Sequence, residues 1–405
     1  MKKIKHLFFV LTGLLLGGVV CGQPANTTFL GQEVTDNNNV IVTAVPFLTI
    51  TPDTRSAGMG EVGAATPGDV WSQHANASKY AMMNSEYGVG VAYVPWLSNI
   101  SEEDECMVYM VGYYQRPRVG TFGFSMRYFT IGDVSSTEVG DSVKYTVDLD
   151  SPMEYSFDIS FARRFGTCFV LGVTPRITYT NLIGTSEENY HSSEVASFDV
   201  SGMYVSHLGT GPHYSSLTGI VCKCPKTLSI GFSLSNIGPK LAYSKSRREF
   251  IPTMLRLGVG YSQYVRNNGK VSVYADVQKL LVPTPPNYIR DSEGNVEAVL
   301  GKDNNVGAMR GIFQSFNDAP EGTREELEEF TVGVGFEYAY NEKIFGRVGY
   351  FNEAENKGNR KYATFGFGYK LFGGAMEFSY LLPVKGQDSP LADTFRITLS
   401  YEAEK

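Results

Sequence analysis

Apolar and polar residues alternate along most of the chain after Tyr87, in segments of roughly ten residues. In Met153–Arg164 the apolar side chains fall on every second position, and Ser156, Asp158 and Ser160 lie between them. A period of two places neighbouring side chains on opposite faces of a β-strand. Strands of this length, with one apolar and one polar face, are typical of β-barrels that cross a lipid bilayer.

Fourteen segments follow this pattern, and the number is even, as in single-chain bacterial barrels. The connections between them alternate between short and long, which is the usual pattern of periplasmic turns and outer loops. Residues 208–226 are the exception and are interpreted as an extended periplasmic turn. The longest outer loop is predicted at residues 281–328. The strands are predicted to begin near Tyr87, Met107, Val119, Met153, Cys168, Val195, Thr227, Thr253, Lys270, Glu329, Ile344, Tyr362, Gly374 and Asp393.

The pattern therefore predicts an all-β fold, a 14-stranded antiparallel transmembrane β-barrel over residues 87–405. Because the strand number is even and the short turns are assigned to the periplasm, both chain termini are expected to be periplasmic. A soluble β-sandwich also shows alternation, but its strands are usually shorter and its outer face is rarely this aromatic.

The N-terminal 22 residues have the pattern of a secretory signal peptide. Three lysines precede a short apolar stretch, Leu7–Val20, that is too short to span a bilayer permanently. Cys21 raises the alternative of a lipoprotein signal, whereas cleavage after Gly22 makes Gln23 the first residue of the mature chain. An exported chain with strands of this kind indicates the bacterial outer membrane.

Residues 23–86 lie between the signal peptide and the first strand, and we interpret them as an N-terminal periplasmic or plug segment. Gly58, Gly60 and Gly63 match the dinucleotide-binding fingerprint by letter, but an exported barrel lacks the strand–helix–strand unit that this motif requires. We expect these glycines to allow tight turns in a confined space. Arg55 and these three glycines are the predicted plug residues.

Composition and charge exclude two classes of protein. Hydrophobic residues make up 42% of the chain and aromatic residues 13%, which is too much for a disordered chain. The formal net charge is -7 at pH 7, and no compact basic stripe offsets it. Nucleic acid is therefore not expected as a partner.

The polar faces of the predicted strands carry positive and negative charges in equal number. Such a mixture favours paired networks in a filled lumen over an ion-selective pore, which uses rings of one sign. It also fits poorly with the apolar pocket that a transporter of hydrophobic molecules needs. The residues are Arg127, Arg176, Arg256, Arg347 and Arg396 with Asp158, Asp199, Asp276, Glu337 and Glu377.

Residues with catalytic or metal-binding chemistry are few. His191 beside Ser186, Ser192 and Ser193 is the nearest approach to a serine hydrolase, but no nucleophile-elbow motif accompanies it. No catalytic residue is therefore predicted, and the chain is not expected to be an enzyme.

Histidines and cysteines gather in the extended turn at residues 208–226 and could hold a zinc ion, but they lack the spacing of a zinc finger. No metal and no cofactor are predicted. The residues concerned are His207, His213, Cys222 and Cys224.

Acidic residues form two runs in the predicted outer loops, at residues 102–105 and 325–329. The ordinary interpretation is a solvated loop. Cation bridging to lipopolysaccharide, or recognition of a basic patch on a partner, is the alternative.

Several strings of residues resemble the PorV family, also called LptO, of type IX secretion outer-membrane proteins. The most specific is Asp276–Pro286, and the resemblance covers nearly the whole mature chain. The other strings are Thr49–Gly60, Gln73–Tyr80, Tyr93–Leu97, Ser235–Lys240 and Ile251–Thr253.

The resemblance implies a FadL-like barrel that acts without catalysis as a cargo shuttle and attachment-complex subunit. Such a shuttle binds the C-terminal domains of secreted cargo at a giant translocon barrel (SprA/Sov-like). It delivers them to the sortase PorU and the attachment-complex subunits PorQ and PorZ, in contact with outer-membrane lipid and lipopolysaccharide. A FadL-like transporter of hydrophobic small molecules and a lipopolysaccharide deacylase are the alternatives.

Residues for cargo or partner binding are predicted in the outer loops. Prolines after the ninth strand would stiffen the start of the longest loop, and apolar residues within that loop would contact a partner. The predicted residues are Trp96, Leu97, Pro283, Pro285, Pro286, Ile312, Phe313 and Phe316.

Overall fold

A computed structural model of the chain describes residues 28, 30–32, 38–96, 105–130, 134–139, 144–149, 153–181, 192–208, 226–242, 248–265, 268–290, 296–384, 391 and 394–403. Several sequence-based predictions fall on residues outside these ranges. They concern the signal peptide at residues 1–22, Leu97, Ser186, His191, His213, Cys222 and Cys224.

Fourteen antiparallel strands form one closed barrel, in which each strand pairs with its neighbours in sequence and the last pairs with the first. Each begins within two residues of its predicted start, so the predicted barrel is confirmed. The strands are β1 (Tyr87–Pro95), β2 (Cys106–Arg116), β3 (Gly120–Thr130), β4 (Met153–Phe165), β5 (Phe169–Asn181), β6 (Ser193–Leu208), β7 (Lys226–Ile237), β8 (Met254–Val265), β9 (Gly269–Leu280), β10 (Phe330–Tyr340), β11 (Ile344–Asn352), β12 (Lys361–Leu371), β13 (Gly374–Pro383) and β14 (Phe395–Glu402).

Alternation along each strand separates a lipid-facing surface from the lumen. On β4, Ile159 is 65% exposed on the outside, whereas Asp158 and Ser160 beside it are buried. The same contrast recurs around the barrel, where exposed valine, leucine, tyrosine and phenylalanine side chains form the outer face. An apolar outer surface around a polar interior is the arrangement that a bilayer requires.

The connections contain short helices and three small hairpins. The helices are α1 (Thr54–Ala57), α2 (Ser72–Ala75), α3 (Ala308–Gln314) and α4 (Thr323–Glu328), with 3-10 turns at Pro46–Thr49, Ala77–Met82 and Glu355–Lys357. The hairpins pair Val134–Val139 with Lys144–Leu149, Leu241–Ala242 with Arg248–Glu249, and Asn287–Arg290 with Val296–Leu300. Among the described residues, no helix has both the length and the apolar character needed to cross a membrane.

Residues 44–83, which we call the inner segment, lie within the barrel. Most of them are buried, and they contact inward-facing positions of strands on all sides of the lumen. Asp53 caps α1 by accepting a hydrogen bond from the Ser56 backbone N–H at 2.7 Å. Contacts with the wall include Gly60 with Tyr350, Ala64 with Gly231, Trp71 with Gly90, and Ser78 with Gly172.

The two ends of the described chain lie at opposite ends of the barrel. The Ala403 N–H donates to the Tyr87 carbonyl at the end with the short turns. Gln32 instead donates to Glu353 in the β11–β12 connection, at the end with the long loops. The inner segment therefore runs through the lumen from the long-loop end before it reaches β1, and the periplasmic placement of the termini stays a prediction.

Candidate functional site

Charged side chains on the inward face of the wall form networks across several strands. The Arg176 guanidinium on β5 contacts Asp158 on β4 at 2.7 Å and Asp199 on β6 at 3.0 Å. Arg347 on β11 contacts Glu337 on β10 and Glu377 on β13, both at 2.8 Å. Because these pairs are buried and hydrogen-bonded, each fixes its strands and leaves little free charge in the lumen.

The inner segment joins the network through Arg55. Its guanidinium contacts Glu337 at 3.0 Å and Asp69 at 2.8 Å. Glu337 therefore bridges Arg55 of the inner segment and Arg347 of the wall. This places a predicted plug residue in the lumen and gives it a specific partner on the wall.

Backbone groups of the inner segment also bond to wall side chains. Asp276 on β9 accepts the N–H groups of Gly63 and Ala64, at 2.7 and 2.9 Å. Arg127 and Arg396 donate to carbonyls of the segment, at 2.7 Å to Leu48 and 2.9 Å to Thr51 respectively. Several inward charges predicted to pair with one another thus satisfy the backbone of the inner segment instead.

At the long-loop end, residues 281–329, here called the outer loop, are tied down by buried ion pairs. Lys279 contacts Glu329 and, at 3.3 Å, Glu326. Lys357 contacts Glu325 at 2.6 Å and Glu329 at 3.1 Å. The acidic run at residues 325–329 is therefore not simply solvated, since Glu325 and Glu329 are buried against lysines.

Asp318 is the one carboxylate of this cluster, among the described residues, that lacks a lysine partner. It is 2% exposed, and its Oδ2 accepts the Thr284 N–H at 3.2 Å. Burial, followed by the charges of Glu326 and Glu329, raises the pKa of Asp318 to about 7. Burial would also raise the pKa of Glu325, but the hydrogen bond from Lys357 holds that pKa below its ordinary value.

The same carboxylates also have the spacing of a metal site. Oxygen atoms of Asp318, Glu326 and Glu329 lie within 4.8 Å of one another. The Lys279 ammonium, however, already contacts both glutamates, so a cation of the protein occupies the position that a metal would take.

Helix α3 presents an apolar surface beside this cluster. Gly311 packs its opposite face against Phe250 and Pro283. Met309, Phe313 and Phe316, which we call the α3 surface, are 59%, 74% and 47% exposed. Met309 and Phe313 are four positions apart and lie on one side of the helix, and Phe316 lies in the turn that follows it.

The remaining residues predicted to bind a partner lie deeper. Pro283 and Pro286 are buried, whereas Pro285 and Ile312 are half-buried. Trp96 is 4% exposed and belongs to the same apolar cluster as Phe47 of the inner segment. Buried side chains of this kind shape and stiffen the outer face without forming its surface.

The sequence analysis did not identify Lys279, Lys357 and Asp318, which form the buried charged cluster beneath the outer loop. The acidic run was visible, but its lysine partners lie up to 50 positions away in sequence. Nor did it find the cavity of about 120 Å³ at this end, which is lined by Met254, Phe351 and Lys357 among others.

A closed barrel with an apolar outer face and a charged lumen occupied by its own N-terminal residues defines an integral outer-membrane protein. Residues 33–287 match the family model described as type IX secretion system protein PorV. The chain belongs to the PorV family, and its role is in type IX secretion.

Several solved structures have a similar outline. The toluene transporter TbuX of Ralstonia pickettii is 12% identical, with 88% of this chain and 100% of that chain covered and a TM-score of 0.47. The toluene transporter TodX of Pseudomonas putida is 10% identical (85% and 95%, TM-score 0.45). A FadL homologue of Pseudomonas aeruginosa is also 10% identical (90% and 99%, TM-score 0.42). No curated protein sequence matches the chain significantly.

Proposed function

We propose that this protein is a non-catalytic cargo shuttle and attachment-complex subunit of type IX secretion. It binds the C-terminal domain of cargo at the giant translocon barrel (SprA/Sov-like) and delivers the cargo to the sortase PorU with PorQ and PorZ. The barrel diffuses in outer-membrane lipid, beside lipopolysaccharide. Its short turns and C-terminus face the periplasm, and its long loops face outward.

The observation that carries this proposal is the α3 surface. Three large apolar side chains are exposed on α3 and the turn after it, and Gly311 on the other face of the helix packs against Phe250 and Pro283. Ion pairs from Lys279 and Lys357 hold the rest of the outer loop. A surface that is already ordered loses little entropy on binding, so a few aromatic contacts suffice for a reversible complex.

The lumen supports a shuttle better than a transporter. The inner segment occupies it as a plug, with Arg55, Gly58, Gly60 and Gly63 among its packed residues. The cavity at the long-loop end is about 120 Å³ and the one at the short-turn end about 300 Å³, whereas ligand pockets usually begin at roughly 300 Å³. The lining of the cavity at the long-loop end is mixed, since the paired charges of Glu353, Lys357 and Arg360 lie beside apolar side chains such as Met254 and Phe351.

Replacement of Phe313 by serine tests the proposal directly. In cells that carry the secretion system, we expect Phe313→Ser to reduce recovery of cargo with the affinity-purified barrel by about 5- to 30-fold, the loss of one binding hot spot. Phe372→Ser is the matched control, because Phe372 is 85% exposed in the turn at the opposite end of the barrel. Equal cargo recovery with both variants would contradict the proposal.

A further inference from the structure

Asn39, which lies shortly before the inner segment, joins three parts of the outer face. Its backbone N–H donates to the Asn356 carbonyl in the β11–β12 connection at 2.8 Å. Its side-chain Nδ2 donates to the Pro285 carbonyl and to Oε1 of Glu325, both at 3.1 Å. Pro285 and Glu325 lie near opposite ends of the outer loop. One side chain therefore holds both ends of that loop beside the neighbouring connection.

The bond to Glu325 is formed in a protected site. Glu325 is 2% exposed and pairs with Lys357 at 2.6 Å, and its Oε2 accepts the Glu321 N–H at 2.9 Å. A hydrogen bond to an ionised carboxylate is stronger than one between neutral groups, and burial strengthens it further. Glu325 thus fixes Asn39 to the outer loop more firmly than a contact on the open surface would.

A second contact links the start of the inner segment to helix α3. The Ala44 N–H donates to the Phe250 carbonyl at 2.8 Å. The Phe250 ring packs against Gly311 of α3, and the Lys240 ammonium lies over that ring, 4.0 Å from its centroid. The β7–β8 connection therefore carries a contact from the inner segment to the helix that bears the α3 surface.

Residues 38–43, here called the clasp, connect these contacts to the inner segment. Asn39 and Ala44 are five positions apart, so they lie at most about 18 Å from each other. Ala44 is 1% exposed, and the nearby Leu48 carbonyl accepts a hydrogen bond from Arg127 of the wall at 2.7 Å. Because the clasp is short and is bonded at both ends, a shift of the inner segment is passed on to Asn39.

We propose that the clasp couples the position of the inner segment on the wall to the order of the outer loop, with Asn39 as the positioning residue. When the inner segment is displaced, the bonds of Asn39 to Pro285 and Glu325 break, and the α3 surface loses its fixed position. The coupling is reciprocal, so a partner bound to the α3 surface stabilises the inner segment in the lumen. The coupling rests on the contacts above, and only this last effect rests on the proposed function.

Hydrogen exchange of the detergent-solubilised protein, at one pH and without cargo, tests the coupling. Gly349→Ala displaces the inner segment, because a Cβ there would lie 2.2 Å from the Gly60 backbone nitrogen. We expect it to speed exchange in residues 315–328 by roughly 5- to 30-fold, the effect of losing two hydrogen bonds. Gly346→Ala on the same strand is the control, since a Cβ there meets no atom within 4 Å. Unchanged exchange in Gly349→Ala, with its inner segment open to protease, would overturn the proposal.

Asn39→Ala shows whether the effect passes through the clasp. We expect Asn39→Ala alone to speed exchange in residues 315–328 to a similar extent, and Gly349→Ala to add less than about twofold in that background. Val42→Ala is the matched control within the clasp, because Val42 is 67% exposed. An effect of Gly349→Ala that is as large without the Asn39 amide as with it would contradict the proposed route.

The reverse direction decides the matter if Gly349→Ala does not fold. Asn39→Ala must then also speed exchange in residues 44–50, where the inner segment begins. An increase confined to residues 315–328 would mean that Asn39 merely holds the outer loop, and the proposal would be overturned.

Discussion

Arg55 and Glu337 lie 282 positions apart in sequence, yet the guanidinium of Arg55 donates two hydrogen bonds to the Glu337 carboxylate, at 3.0 and 3.2 Å. This bidentate pair joins the inner segment to the barrel wall. Since both side chains are largely buried, the pair is much stronger than a surface ion pair once formed.

Removal of the Arg55 charge should therefore destabilise the folded barrel. We expect Arg55→Met to lower the free energy of unfolding by about 3–5 kcal/mol, because Glu337 and Asp69 lose a buried partner. The change is measured as a lower temperature of heat-induced mobility shift on SDS gels. Arg324→Met is the control, since Arg324 pairs with Glu328 at an 83% exposed position and should cost less than about 1 kcal/mol.

A methyl group at Gly349 should displace the inner segment. A Cβ there would lie 2.2 Å from the Gly60 backbone nitrogen, far inside van der Waals contact. We expect Gly349→Ala to destabilise the barrel and to expose the inner segment to added protease. Gly346→Ala on the same strand is the matched control, because a Cβ at Gly346 meets no atom within 4 Å. The same protease pattern in both variants would mean that the contact at Gly60 is unimportant.

Packing of the outer loop should weaken as the pH rises. The pKa of Asp318 is about 7 in the folded protein against an ordinary value of 3.8, so folding favours the protonated acid. This contribution is complete below about pH 4 and is lost as the pH rises through about 7. Hydrogen exchange at residues 315–328, corrected for its intrinsic pH dependence, should be faster at pH 8 than at pH 5.5. Asp318→Asn should remove the difference, and an unchanged difference in that variant would assign it to another group.

Loss of the Lys279 ammonium should release the outer loop. We expect Lys279→Met to cost about 3–5 kcal/mol, because Glu326 and Glu329 lose a buried cationic partner. Local release appears as protease cleavage after Arg324, with the barrel still resistant. Lys361→Met provides the comparison, as its partner Glu355 is 79% exposed. If the outer loop of Lys279→Met still resisted the protease, the hydrophobic contacts around Gly311 would be sufficient to hold the loop in place.

The barrel was predictable because the alternation of apolar and polar residues that defines each strand is a local feature of the sequence. Each strand contacts lipid on one face and the lumen on the other, so apolar and polar residues alternate with a period of two. The sequence alone therefore predicts that Ile159 faces the lipid and Asp158 the lumen. The charged cluster beneath the outer loop depends instead on contacts between residues that are far apart in sequence. Glu325 and Glu329 resemble a solvated acidic run until Lys279 and Lys357 are placed beside them.

The path of the inner segment could not be predicted from the sequence for the same reason. Its glycines indicated confinement, but nothing in the sequence set the direction in which the chain crosses the lumen. The direction depends on distant partners, such as Glu353 for Gln32 and Phe250 for Ala44.

That direction has a consequence for biogenesis. The barrel closes through the pairing of β14 with β1, and Asn39 and Ala44 bond to the loops at the long-loop end, with Asn356 and Phe250 respectively. End-first threading afterwards would drag Arg55, Asp69 and Lys79 through a passage already narrowed by charged side chains. We infer instead that the sheet closes around the inner segment, which already lies across it before β14 pairs with β1.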